Sequence, residues 1–226
     1  MNQISIIIPT LWKAPEKLCQ MIKQYSNSPF VEEIILIDNA GEGRYASLPF
    51  DHLYPKLQEL VCDENIFVNP AWNLGVEKSK SDIIALVNDD LLIDSLTLSV
   101  ILQKAINTLT STDIQLIGMA ESNFSPTEKS GLLPTIKNIT HKCYGFGTFM
   151  LMKKENYVPI PSDLKIWRGD HILLTHNHTA ELGGVFIDTE MSETIKTDKK
   201  FSVLGRQDVQ LYKLKYKNVT LPKYSA

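Results

Sequence analysis

The sequence has little cysteine: Cys19, Cys62 and Cys143 are spread over 226 residues and form no Cys-x-x-Cys pair. So sparse and odd a set excludes a disulfide framework or a cysteine-rich zinc site. No window approaches 18 consecutive apolar residues, so no segment is expected to span a membrane. The first residues, MNQISIIIPT, lack a basic stretch ahead of their short apolar run. They read as a buried strand rather than a signal peptide, and a reducing, cytoplasmic home is expected. Positive charge is not in excess: 23 Lys and Arg face 26 Asp and Glu, for a formal net charge of −3. That balance argues against nucleic acid as a partner, which calls for a basic face. Two phosphate-binding loops are also missing. The turn after the first strand reads PTLWKAPEK instead of G-x-G-x-x-G, and G-x-x-x-x-G-K-[ST] occurs nowhere.

What is present is an ordinary globular mixture, 43% apolar and 22% charged, long enough to bury its own core. Residues 4–8 form an almost unbroken β-branched run, the mark of a strand covered on both faces. Pro15 opens a helix in which Leu18, Met21, Ile22 and Tyr25 recur at helical spacing. Residues 34–37 form a second buried strand, so the first 40 residues make a right-handed βαβ unit with parallel strands. A short strand near 66–68, a helix over 71–79 and a buried strand over 83–87 follow. Asp94 then caps a long helix marked by Leu98, Ile101, Leu102, Ala105, Ile106 and Leu109. Residues 115–119 read as a strand, 121–142 as a long polar loop, 146–152 and 185–188 as strands and 207–217 as a terminal helix. The expectation is one α/β domain over residues 1–226, with a mostly parallel central sheet flanked by helices and a smaller, irregular second half.

In such a sheet, ligands bind beyond the carboxyl ends of the strands. Three strands there end in polar groups: Pro9-Thr10, Asp38-Asn39 and Asn88-Asp89-Asp90. GEGR at 41–44 reads as a plain turn. Adjacent carboxylates repel unless a cation sits beside them, and hard oxygen ligands suit Mg²⁺ or Mn²⁺ shared with substrate phosphates. A polar loop whose Asp residues cap backbone N–H groups explains Asp89 and Asp90 equally well.

SIIIPT, then IDN, then WNLGVEKSKSDIIALVNDD together resemble the inverting family 2 glycosyltransferases of the GT-A (Rossmann-like) fold. The likeness covers residues 4–92 and resumes with GFGTFMLMKKE and DLKIWRGDH over 145–175. It implies a nucleotide-sugar-binding half over 1–92 and an acceptor-side half over 93–226. It also implies a nucleoside-diphosphate sugar donor, UDP-linked by the simplest reading, and a glycan, glycolipid or glycoprotein acceptor. By the same resemblance Pro9 and Thr10 lie against the nucleotide, Asp38 accepts from the base, and Asn73 and Gly75 sit near the nucleotide. Asn88, Asp89 and Asp90 stand for the family's D-x-D motif, with Asp90 as ligand of Mn²⁺ or Mg²⁺. Asp170 is the general base, and Gly147, Trp167 and Arg206 face the acceptor or diphosphate.

The residues keep plainer readings open beside these. Asp38 suits an Asx-turn, Asn73 a helix surface, Asp170 the N-terminus of a helix starting HILLTH, and Trp167 the core. Two departures stand out. Asn88 replaces a carboxylate by an amide, and Thr189 or Glu190 stands where many members carry a late His. His171, His176 and His178 lack the i, i+4 spacing of a helical zinc motif and read as loop residues. Lys213, Lys215 and Lys217 read as a solvated face. A non-catalytic nucleotide-sugar or glycan-binding module with a degenerate site, or a sugar-phosphate nucleotidyltransferase, is the alternative to a glycosyltransferase.

Overall fold

The computed structural model describes residues 2–41, 43, 54–125, 133–141, 143–189 and 199–224. β1 (Ile4–Thr10) is buried along its whole length. It leads into α1 (Pro15–Ser26), which opens on its proline and buries Leu18, Met21, Ile22 and Tyr25. β2 (Val31–Asp38) returns parallel to β1, in a register that sets Thr10 opposite Asp38. β3 (Leu57–Val61) adds a parallel edge strand. α2 (Val68–Lys78) then crosses the sheet, and β4 (Ile83–Val87) pairs parallel to the other side of β1.

A two-residue strand, β5 (Leu91–Leu92), precedes α3 (Ser95–Ser111), whose first turn is capped by the Asp94 side chain accepting from Thr97 N at 3.0 Å. The remaining elements are β6 (Leu116–Met119), β7 (Thr135–Ile139), β8 (Phe149–Lys153), α4 (Gly169–Thr175), β9 (Thr179–Gly183), β10 (Asp188–Thr189) and α5 (Lys199–Leu211). The eight-stranded sheet runs β3-β2-β1-β4-β8-β6-β9-β7. It is parallel through β3, β2, β1 and β4, and β8 enters antiparallel to β4.

Strand alternation divides the core between the two faces of the sheet. Ile4, Ile6 and Ile8 pack with the apolar stripes of α1 and α3. Ile7, Ile35 and Ile37 pack with α2 and α4. Gly75 lets α2 approach the sheet, because a Cβ there would lie 2.3 Å from Ile7 Cγ2. Among the described residues no helix is long and apolar enough to cross a membrane.

The structure shifts several expected elements. The strand expected at 66–68 is the entrance to α2, and the neighbouring strand is β3; LQELV is a half-exposed edge without an apolar run, so it carried no strand signal. The loop expected over 121–142 contains a 3₁₀ turn at Glu121–Phe124 and β7, another edge strand of mostly exposed residues. The strand expected at 146–152 starts at Phe149, after a 3₁₀ turn over Phe146–Thr148. β9 had gone unread, and the strand expected at 185–188 is reduced to β10, paired with β5. The terminal helix begins at Lys199 rather than 207, because Gly205 interrupts its helical pattern in the sequence.

Candidate active site

A cavity of about 850 Å³ opens at the carboxyl ends of β1 and β4 and is closed on its far side by the segments at 143–148 and 166–171. The parallel register brings the polar strand ends together there. Thr10 Oγ1 donates to Asp89 Oδ2 at 2.6 Å and accepts from Trp12 N at 2.9 Å. Burial raises the Asp89 carboxyl to about 6; Asp90 adds to the rise, while the Thr10 hydroxyl works against it. Pro9, Asn88 and Asp90 share this wall.

Asp170 enters from the opposite half of the chain, in the first turn of α4, with Oδ1 accepting from His171 N at 2.8 Å. Gly147 makes room for it: a Cβ there would sit 3.0 Å from Asp170 Oδ2. Trp167 lines the same cavity and is 38% exposed.

Four expected site residues lie outside the cavity lining. Asp38 is fully buried and spends its carboxylate on its own loop, accepting from Ala40 N and Gly43 N at 2.8 Å each. Gly41 and Gly43, both at positive φ, build that turn. The neighbour Asn39 is the member of the pair that lines the cavity, and its buried Oδ1 meets no donor among the described residues. Asn73 fastens α2 to the 157–160 segment: Oδ1 accepts from Tyr157 Oη at 2.7 Å and Ile160 N at 2.9 Å, while Nδ2 donates to Ile160 O at 2.7 Å. Gly75 serves the packing of α2 on Ile7. Arg206 is exposed on α5. Thr189 pairs with Leu91 and is not part of the cavity lining, and Glu190 lies outside the described residues.

The structure adds residues that the sequence had not singled out. Lys13 and Arg168 bring positive charge to the cavity, and Phe67 and Tyr144 bring aromatic surface beside Phe201, a residue the sequence places in a closing loop or terminal helix. His171 also lines it and shares a hydrogen bond with the Arg168 guanidinium. His176 and His178 have other partners: His176 Nε2 accepts from Leu221 N at 2.9 Å, and His178 lies 3.0 Å from Asp113. Among the described residues, Trp12, Phe67 and Arg168 are the non-glycine residues at positive φ. Two of them line the cavity and Trp12 sits between lining residues, a clustering of backbone strain typical of functional sites. No sequence signal marks such a conformation in Phe or Arg.

No cluster of three or more His, Cys, Asp or Glu side chains able to hold a metal occurs among the described residues. The Asp89-Asp90 pair nonetheless fits a hard divalent cation that takes one or two carboxylates and completes its shell with water and phosphate oxygens.

Comparison with known proteins bears on this arrangement. Residues 5–157 match the sequence profile of glycosyl transferase family 2. Comparison with curated proteins returns no match. Among solved structures, residues 1–349 of S. aureus TarS superpose with a TM-score of 0.58 at 13% identity, covering 96% of this chain and 73% of that one. The mannosyltransferase PcManGT from Pyrobaculum calidifontis, solved in complex with GDP-Man and Mn²⁺, gives a TM-score of 0.59 at 12% identity, covering 97% of this chain and 66% of that one. At such identities the superpositions speak for the shared α/β, GT-A-like fold alone. The profile match takes in the cavity residues from Pro9 through Asp89 to Thr148 and ends before the 166–171 segment, and the chain belongs to glycosyl transferase family 2.

Proposed function

We propose that this glycosyltransferase moves a sugar from a nucleoside-diphosphate sugar to an acceptor hydroxyl with inversion, using Asp170 as general base. The observation that carries this reading is the meeting, in one cavity, of the Asp89-Asp90 pair from the end of β4 and the Asp170 carboxylate from α4. A binding module needs no base at that place.

In this reading the donor lies along the ends of β1 and β4. Pro9, Thr10 and Asn88 flank the nucleotide, and Lys13 and Arg168 supply positive charge at the cavity in a protein whose net charge of −3 gives no broad positive field. Asp90, with Asp89 beside it, would hold Mn²⁺ or Mg²⁺, which supplies charge neutralisation for the departing diphosphate. The Mn²⁺ bound with GDP-Man in the P. calidifontis mannosyltransferase supports both a nucleotide-sugar donor and a divalent ion.

The acceptor oxygen attacks the anomeric carbon from the face opposite the diphosphate. Its proton passes to Asp170, and the bond to the diphosphate oxygen breaks with the electron pair leaving on the diphosphate. Trp167 and Tyr144 offer aromatic faces to a sugar ring on the acceptor side, as a glycan, glycolipid or glycoprotein acceptor would present.

Asp38 is occupied by its own turn and Asn39 is the member of the pair that lines the cavity, so the uracil reading of the donor rests on the resemblance alone. Incubation with UDP-, GDP- and dTDP-sugars, with and without Mn²⁺, followed by measurement of nucleotide release, tests the assignment. One donor is expected to be turned over. If none is hydrolysed and none raises the melting temperature, the transferase reading is overturned.

A further inference from the structure

Two buried polar side chains outside the cavity converge on the short segment that leads into Asp170. Asp208, on α5, is 2% exposed. Its carboxylate accepts from three successive backbone N–H groups: Lys165 at 3.0 Å on Oδ1, then Ile166 at 2.7 Å and Trp167 at 2.9 Å on Oδ2. Asn69, on α2 and fully buried, grips the same segment from the other helix. Its Nδ2 donates to Leu164 O at 3.2 Å and Trp167 O at 3.1 Å, and its backbone N donates to Lys165 O at 3.0 Å.

A carboxylate taken out of water is costly unless its lone pairs are filled, and apolar contact alone would dock a helix more cheaply. α5 combines this polar grip with a flat contact, Gly205 against the Trp167 ring, where a Cβ would come within 3.0 Å. Residues 164–167 are therefore tethered from two helices. Arg168 follows at a φ of 72°, and Gly169 starts α4 against Asn69, where a Cβ would meet Asn69 Oδ1 at 2.3 Å. Asp170 comes next. The position of its carboxylate is thus set by a loop whose end points belong to α2 and α5.

We propose that Asp208 and Asn69 are positioning residues, which aim Asp170 by holding the 164–168 segment and so couple α5 to the reacting centre. The inference rests on the reading of Asp170 as general base.

The test uses Asp208→Asn, Asp208→Glu and Gly205→Ala in the full chain. In Asp208→Asn, amide hydrogen exchange over 164–171 is expected to rise about tenfold while the rest of the sheet keeps its protection. The kcat for transfer is expected to fall about tenfold or more, a larger factor than any loss of nucleoside-diphosphate affinity through Arg168 of the same segment. Asp208→Glu recovers part of the rate. In an Asp170→Asn background, Asp208→Asn adds less than about a twofold loss, because the group it positions is already gone.

Unchanged exchange, or a kcat within about twofold of the native value, overturns the proposal, as does an equally large loss in the Asp170→Asn background. Should Asp208→Asn fail to fold, Gly205→Ala carries the test. Alanine favours the helix, but its Cβ presses on the Trp167 ring at 3.0 Å, so kcat should fall by more than donor affinity does, and an unchanged kcat overturns the proposal. If native protein turns over no donor, the transferase reading has failed separately. The exchange experiment still decides whether Asp208 holds the segment.

Discussion

Thr10 and Asp89 stand 79 residues apart in the chain and 2.6 Å apart in space, joined by a hydrogen bond from the threonine hydroxyl to the carboxylate. The bond ties the end of β1 to the loop after β4 and forms one wall of the cavity. It also opposes the rise of the Asp89 carboxyl, whose value of about 6 is set chiefly by burial and then by Asp90.

A carboxyl whose folded pKa is raised from 3.8 to about 6 stabilises the fold in its protonated form. That contribution is complete below the unfolded value and is lost as pH rises through about 6. Asp89→Asn should therefore raise the melting temperature of metal-free protein near pH 7.5, by an amount that shrinks toward about pH 4. The same variant should lose any stabilisation by Mn²⁺. Calorimetry across this range checks it, and a pH-independent change would contradict the cause assigned.

Asp170→Asn should reduce kcat by about 10²- to 10⁴-fold, the usual worth of a general base. Donor affinity should stay near the native value, because the reading gives Asp170 the acceptor proton and no donor contact. Steady-state kinetics with titration calorimetry separate the two quantities. Full transfer activity in this variant would remove Asp170 from the mechanism while leaving the family intact.

Asp38 and Asn39 should respond differently to substitution. Asn39→Ala, which trims the member of the pair that lines the cavity, should weaken nucleotide binding about five- to tenfold, roughly one hydrogen bond's worth. Asp38→Asn leaves only one oxygen for the two N–H groups of Ala40 and Gly43, so it should lower the melting temperature. Nucleotide titrations and thermal melts on the two variants decide which residue faces the base.

Asn73→Ala strands Tyr157 Oη and Ile160 N and O in a part-buried place. A loss of about 2–4 kcal/mol is expected from denaturant unfolding, with nucleotide affinity of the folded protein unchanged. Weaker nucleotide binding without a stability loss would return Asn73 to the donor site.

The parallel half of the sheet was legible because β1, β2 and β4 are buried on both faces over most of their length and therefore carry apolar runs, Ile6–Ile8, Ile34–Ile37 and Ile83–Val87. A βαβ order then sends every parallel strand's carboxyl end to one edge, so Thr10, Asn88, Asp89 and Asp90 could be grouped before any coordinates. β3 and β7 escaped notice because edge strands keep half their side chains in water. Asp38 and Asn39 were adjacent candidates whose sequence does not say which side chain faces the cavity; the turn at Gly41 and Gly43 turned Asp38 inward. Asn73 looked like a substrate residue because its spacing before the acidic motif is the same whether its amide meets ligand or protein.

The amino-acid order alone thus determined the layered α/β core and the chemistry available at the strand ends, since both follow from local periodicity and connection rules. Tertiary structure decided which of those groups share a cavity and which are consumed by neighbours. Asn69, Asp170 and Asp208 come from three separate stretches, and only the packing of α2, α4 and α5 brings them around one loop. Long-range hydrogen bonds of that kind leave no mark in local sequence, because each partner alone is an ordinary polar residue on a helix.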